Sequence, residues 1–252
     1  MTIPLQSGLV YGPVNSRRLG RSLGVNIVST KIKTCTFNCV YCQYGLGRVP
    51  DENMEDINWY PNTQQIIDVL EQVLPILSPR PAYITFSGNG EPTLHPEFPI
   101  LVDRVKKVRD KYAADSQVAL LSNSSTVMRK YIRNTLERLD KPIMKLDCGN
   151  EAMFKRYNQP LENVLFNEIV DGLKKVDNLT IQALFSNGSG GNFTPDHLND
   201  WIKLIKDISP NAVQIYTLAR SYPSSLISPL SVEQLKLIGD QVVGQGINAE
   251  VY

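Results

Sequence analysis

No stretch of this sequence stays apolar for the roughly 18 residues that suggest a membrane span, and the opening MTIPLQSGLVYGPVNSRR lacks a basic segment followed by an apolar one. Neither a membrane protein nor a secreted one is expected, and the location expected is cytoplasmic. An excess of either charge is also missing. Lys and Arg total 26, Asp and Glu 25, and the formal net charge is +1. No global field draws the chain toward nucleic acid or a membrane surface, although Arg17, Arg18 and Arg21 form a local basic cluster. Histidine is scarce: His95 and His197 are the only two, far apart and in no ligand-spaced pair. A zinc site built from two separated Cys or His pairs is therefore poorly supplied. Cysteine is scarce as well. Three of the four fall between positions 35 and 42, and Cys148 stands alone. That is not the dispersed even set of a disulfide scaffold. It suggests metal binding in a reducing compartment.

What is present is alternation. The 252 residues suffice for one large α/β domain without disulfide staples, and residues 1–252 read as a single domain. Short apolar runs read as strands at Val25–Ser29, Ala82–Ser87, Val118–Ser122, Pro142–Asp147, Leu179–Ser186 and Ala212–Leu218, with a short closing strand at Asn248–Tyr252. Helical periodicity falls between them, at 62–77, 97–112, 126–139, 151–157, 162–176, 195–208 and 231–243. Six βα units give an α/β fold with a mostly parallel sheet, either open and curved or a partial barrel. In both, chemistry belongs at the C-terminal ends of the strands. Those ends carry Ser87-Gly88-Asn89-Gly90-Glu91, Ser122-Asn123, Asp147-Cys148 and Ser186-Asn187-Gly188, all polar or glycine-rich.

The first strand leads into Lys33-Thr-Cys35-Thr-Phe-Asn-Cys39-Val-Tyr41-Cys42, within a loop taken as residues 33–44. The spacing is CxxxCxxC. Three thiolates on one short loop can hold three irons of a four-iron cubane, leaving the fourth iron open to a small chelating ligand. Two alternatives stay open: a zinc site, and a closed cluster with Cys148 as fourth ligand, which would suit a redox sensor or carrier.

The cysteine spacing, with aromatic Tyr41 directly before Cys42, resembles the signature of the radical S-adenosylmethionine (SAM) superfamily. Further resemblance lies in Gly12-Pro-Val-Asn-Ser16-Arg17-Arg18, Gly90-Glu91-Pro92-Thr93-Leu94-His95-Pro96, Lys145-Leu-Asp147 and Gln214-Ile-Tyr216-Thr-Leu-Ala-Arg220. These stretches resemble a group of small single-cluster radical enzymes related to the wyosine tRNA-base synthases. The resemblance implies a partial (β/α)6 TIM-like barrel with Cys35, Cys39 and Cys42 as ligands of a 4Fe–4S cluster and S-adenosyl-L-methionine chelated at the open iron. It also implies an electron donor such as flavodoxin or ferredoxin, and reductive cleavage of the cofactor to methionine and a 5′-deoxyadenosyl radical that abstracts hydrogen from a substrate. Tyr41 is then expected near the adenine. Ser87, Gly88, Asn89, Gly90 and Glu91 are expected at the cofactor's amino group, where glycine permits close approach. Ser122, Asn123, Asp147 and Gln182 are expected as further cofactor contacts. Lys145, on the same strand face as Asp147, is expected with it to suit the cofactor's ribose or carboxylate or proton transfer to the substrate, and Cys148 is expected as a hydrogen-atom donor or thiyl radical. Arg220 is a candidate for fixing an anionic group. The chain departs from the wyosine synthases in having no cysteine before Cys35, so their tRNA activity does not carry over. A glycyl-radical activase, an RNA or nucleotide modifier and a small-molecule or peptide modifier all remain open.

Overall fold

The computed structural model describes residues 2–49, 57–219 and 222–252. Its sheet has eight strands in sequence order. Strand β1 (Val10–Ser16) pairs antiparallel with β2 (Gly20–Val25). From β2 onward every neighbouring pair is parallel: β3 (Tyr83–Phe86), β4 (Gln117–Ser122), β5 (Lys141–Lys145), β6 (Thr180–Leu184), β7 (Ala212–Tyr216) and β8 (Asn248–Val251). The helices between them are α1 (Thr63–Val73), α2 (Phe98–Tyr112), α3 (Lys130–Leu136), α4 (Glu151–Tyr157), α5 (Phe166–Leu173), α6 (Pro195–Ile208) and α7 (Val232–Val243). Six βα units are thus present, curled into a half-barrel.

Local chemistry explains the helix ends. Asn62 caps α1 by accepting from the backbone N–H of Gln64 and Gln65. Thr194 caps α6, and Ser231 with Gln234 forms a reciprocal capping box on α7. Each cap satisfies backbone donors that the first turn leaves open. On α1, Ile66, Ile67 and Leu70 are buried, and on α2 Leu101, Val102, Val105 and Val108. That spacing is the apolar stripe of a helix lying against a sheet.

The first strand differs from the sequence reading. The ladder with β3 runs from Ser22 to Val25, so only Val25 of the expected 25–29 strand lies in the sheet. Ile27 and Val28 are buried, but their backbone has left the ladder toward the cysteine loop. The antiparallel β1 was not expected. Its signal was obscured by glycine and polar residues, although the turn has a local cause: the Ser16 hydroxyl accepts from the N–H groups of Arg18 and Leu19, and Gly20 takes a φ of +64°. The helices expected at 126–139 and 162–176 are shorter, because turns occupy the chain before α3 and α5.

Candidate active site

The cysteine loop leaves the end of β2 and is tied down on two sides. Toward the glycine-rich turn after β3, Thr34 N–H donates to the Asn89 carbonyl at 3.0 Å and Glu91 N–H to the Thr34 carbonyl at 2.8 Å. Toward the chain after α4, Asn38 N–H donates to the Asn158 carbonyl at 3.1 Å, Val40 N–H to Tyr157 at 2.9 Å and Leu161 N–H to Thr36 at 2.9 Å. Within the loop, buried Lys33 donates its Nζ to the carbonyls of Phe37 and Gly45 at 2.9 and 2.8 Å. The loop thus spans the ends of β3 and β5, and its cysteines face a cavity of about 880 Å³, a volume at the upper end of those that hold small molecules and cofactors.

All three cysteines line that cavity and none is in a disulfide. Among the described residues, no three His, Cys, Asp or Glu side chains converge as the ligands of a single ion would. A cubane asks something different, because each thiolate binds its own iron. Two side-chain amides already address the sulfurs: Asn123 Nδ2 stands 3.5 Å from Cys35 Sγ and Asn158 Nδ2 stands 3.4 Å from Cys39 Sγ. The donor set and its surroundings therefore fit a three-thiolate cluster. Burial pushes Cys35 up to about 12, and burial with the neighbouring Asp147 pushes Cys39 up to about 11. Metal binding must displace those protons.

The glycines of the turn after β3 serve the loop itself. A β-carbon on Gly90 would stand 1.7 Å from the Thr34 carbonyl oxygen, and one on Gly88, whose φ is +129°, would stand 2.7 Å from Asn26 Oδ1. Glu91 is buried and joins two strand ends. It accepts from Thr93 N–H at 3.0 Å, Thr93 Oγ1 at 2.6 Å, Ser122 Oγ at 2.9 Å and the N–H of Asn123. Burial raises its pKa and these hydrogen bonds oppose the shift. Ser87 lines the cavity and shares a 2.6 Å hydrogen bond with Tyr11. Asn89 is placed differently: it is fully buried, absent from the cavity wall, and its side chain binds Gln6 and the Ser29 carbonyl.

Asp147 is the second hub. Its Oδ1 accepts from Leu184 N–H at 2.9 Å and pairs with Lys145 Nζ at 3.1 Å; its Oδ2 accepts from Asn158 Nδ2 at 2.9 Å and from the Tyr41 hydroxyl. Lys145 also donates to Tyr216 Oη at 2.8 Å. Burial alone would depress Lys145, but Asp147 and Tyr216 outweigh it and the pKa is raised. The lysine is held as a cation. Gln182 lies beside Lys145 in register and donates to Gln214 at 3.0 Å. Cys148 is fully buried, and its thiol donates to Asn158 Oδ1 at 3.2 Å.

The structure therefore brings Cys35, Cys39, Cys42, Tyr41, Ser87, Gly88, Gly90, Glu91, Ser122, Asn123, Lys145, Asp147, Cys148 and Gln182 around one cavity. Sequence reasoning missed Asn158, Tyr11 and Tyr216's bond to Lys145. The basic cluster divides: Arg17 and Arg18 line the cavity, with Arg18 4.1 Å over the Tyr216 ring, whereas Arg21 donates to the Pro79 carbonyl. Arg220 lies outside the described residues.

Comparison with known proteins points the same way. Residues 30–205 match the model of the Radical SAM superfamily. Three curated relatives are similar along most of the chain. The GTPase Obg of Brachyspira hyodysenteriae is 31% identical over 240 residues, 92% of this chain and 33% of that protein. An UPF0026 protein of Methanocaldococcus jannaschii is 28% identical, covering 94% and 73%, and an UPF0026 protein of Helicobacter pylori strain J99 is 30% identical, covering 90% and 71%. The chain thus spans about a third of the first relative's length. Among solved structures, a radical SAM methyltransferase from Sphaerobacter thermophilus superposes with a TM-score of 0.68 at 14% identity, over 92% of this chain and 65% of that one. TYW1 with a lysine–pyruvate adduct bound gives 0.62 at 13% identity over 89% and 73%. Streptococcus suis SuiB bound to S-adenosylmethionine gives 0.62 at 10% identity over 91% and 50%. At these identities the structural likeness speaks for the fold: a partial barrel with a curled, mostly parallel sheet.

Proposed function

Because the chain belongs to the radical SAM superfamily, whose enzymes use a 4Fe–4S cluster and S-adenosylmethionine, we propose that it generates a 5′-deoxyadenosyl radical and abstracts hydrogen from an anionic substrate held beneath its first hairpin. The observation that carries the reading is the placement of all three loop cysteines around one cavity with the glycine-rich turn and the ends of β4 and β5. We assign Cys35, Cys39 and Cys42 as cluster ligands, and residues 1–252 as one core domain.

Bound there, cluster and cofactor supply methionine and the carbon radical once an external reductant delivers an electron. The chain's own residues divide the remaining work. Gly88, Gly90, Glu91, Ser122 and Asn123 wall the cofactor side. Tyr41, fixed by its hydrogen bond to Asp147, presents a ring for the adenine. Lys145 keeps its proton, so it acts as a fixed hydrogen-bond donor and positive charge toward cofactor or substrate.

Part of the remaining cavity wall comes from the hairpin and from the end of β7. The hairpin contributes Val14, Asn15, Ser16, Arg17, Arg18, Leu19 and Ser22, and the end of β7 with the chain after it contributes Tyr216, Thr217, Leu218, Ala219 and Tyr222. Among these described residues the only charges are the two arginines, whose planar guanidinium groups suit a carboxylate or phosphate.

Anaerobic reconstitution, reduction with dithionite and addition of S-adenosylmethionine test the reading. Methionine and 5′-deoxyadenosine are expected. Their absence from folded, cluster-loaded protein would overturn it. Replacing both Arg17 and Arg18 by Ala should leave this substrate-independent cleavage unchanged.

A further inference from the structure

Asn158 caps the C-terminus of α4 and is 3% exposed. Its carboxamide is fully engaged. Nδ2 donates to Cys39 Sγ at 3.4 Å and to Asp147 Oδ2 at 2.9 Å, while Oδ1 accepts from the Cys148 thiol at 3.2 Å. Charge fixes the amide's direction. Turned over, its oxygen would face a carboxylate and a cluster thiolate, both acceptors, and its NH₂ would face a thiol. Burial keeps Cys148 a thiol by pushing its pKa well up, so it serves as the donor that holds Oδ1. Asn123 has the same construction on the other side of the loop. Its Nδ2 donates to Cys35 Sγ at 3.5 Å and to Thr36 Oγ1 at 2.9 Å, and its Oδ1 accepts from Ser125 N–H at 2.9 Å.

We propose that Asn158 and Asn123 set the reduction potential of the cluster, each by donating one amide N–H to a ligating sulfur. Hydrogen bonds to cluster sulfurs are among the levers on that potential. Reduction adds negative charge to the cluster and its thiolates, so an amide donor stabilises the reduced state more than the oxidised one. Both residues are positioning residues that act through Cys39 and Cys35. Cys148 acts one step further out, by keeping the Asn158 amide turned toward the sulfur.

The proposal rests on the reading that the three loop cysteines hold the cluster. Its test is potentiometric titration, followed by electron paramagnetic resonance, of anaerobically reconstituted wild type, Asn158→Leu, Asn123→Leu and, as a control, Asn248→Leu on exposed β8. Each loss of an amide is expected to shift the midpoint negative. At a fixed ambient potential the reduced-to-oxidised ratio should fall about tenfold, which is about 59 mV for a one-electron couple. The control should match wild type. Loaded variants with unchanged midpoints would overturn the proposal alone. A wild type that loads no cluster would overturn the cluster reading beneath it. If Asn158→Leu fails to load, Asn123→Leu decides by the same criterion.

Discussion

Gly90 and Thr34 touch backbone to backbone: a β-carbon on Gly90 would sit 1.7 Å from the Thr34 carbonyl oxygen, between two hydrogen bonds that join the cysteine loop to the turn after β3. The missing side chain is what lets the two loops close on each other. Gly90→Ala forces backbone apart rather than a flexible side chain. Overpacking typically costs about 1–3 kcal/mol, and the upper end is expected here. Thermal melting of the metal-free protein should show the loss, and iron content after reconstitution should fall with it. A variant that melts and loads like wild type would remove the structural role assigned to this glycine.

The four cysteines should separate cleanly. Cys35→Ala, Cys39→Ala and Cys42→Ala are each expected to abolish stable cluster loading. Cys148→Ala should keep wild-type iron content, because its thiol is engaged with Asn158. It leaves Asn158 Oδ1 buried without its donor, a cost of about 1–3 kcal/mol. Iron and sulfide analysis beside urea denaturation reads both effects. Lost iron in Cys148→Ala would favour a closed cluster.

Asp147 collects four donors, one of them the Lys145 ammonium. Asp147→Ala strands that cation and is expected to destabilise the fold by about 3–5 kcal/mol. Lys145→Met should cost less, since the carboxylate keeps Leu184, Asn158 and Tyr41. The pH dependence has a definite sign. Lys145's folded pKa is raised, so its contribution is complete below its ordinary value of about 10.4 and disappears as pH climbs through the folded value. Urea midpoints of wild type and Lys145→Met should therefore converge only in strong alkali.

Acid should act through the histidines. Burial lowers both His95 and His197, with the Pro61 carbonyl partly opposing it for His95. The unfolded chain takes up protons that the folded one refuses once pH drops below about 6.5. Stability from this source is flat above neutrality and declines with acid. His197 Nε2 also accepts from Gly149 N–H at 2.9 Å, a bond that protonation would break. Comparing denaturation at pH 7.5 and 5.5, His197→Gln should show a smaller acid loss than wild type.

Much of the architecture was legible along the chain because its cause is local. Alternation of strand and helix periodicity marked six βα units, and α6 ran from Pro195 to Ile208 as the pattern indicated. Caps such as Asn62 and Ser231 act within three residues of their partners. The N-terminal hairpin was not legible, because glycine and polar residues hide the alternation of β1 and β2, and its place is settled by pairing with β3, some sixty residues away.

The sequence by itself determined the cysteine triad, the glycine turn and the polar strand ends, since spacing and residue type fix what thiolates and glycines can do. Only the tertiary structure decided how they are used. Gly90 yields space to Thr34, Asn89 turns away from the cavity to hold the N-terminal segment, and Asn158 turns its amide on Cys39. Each of these is a contact between distant segments. A hydrogen bond to a sulfur or a missing β-carbon acts over a few ångströms, and which residues come within that range is set by the closing of the half-barrel.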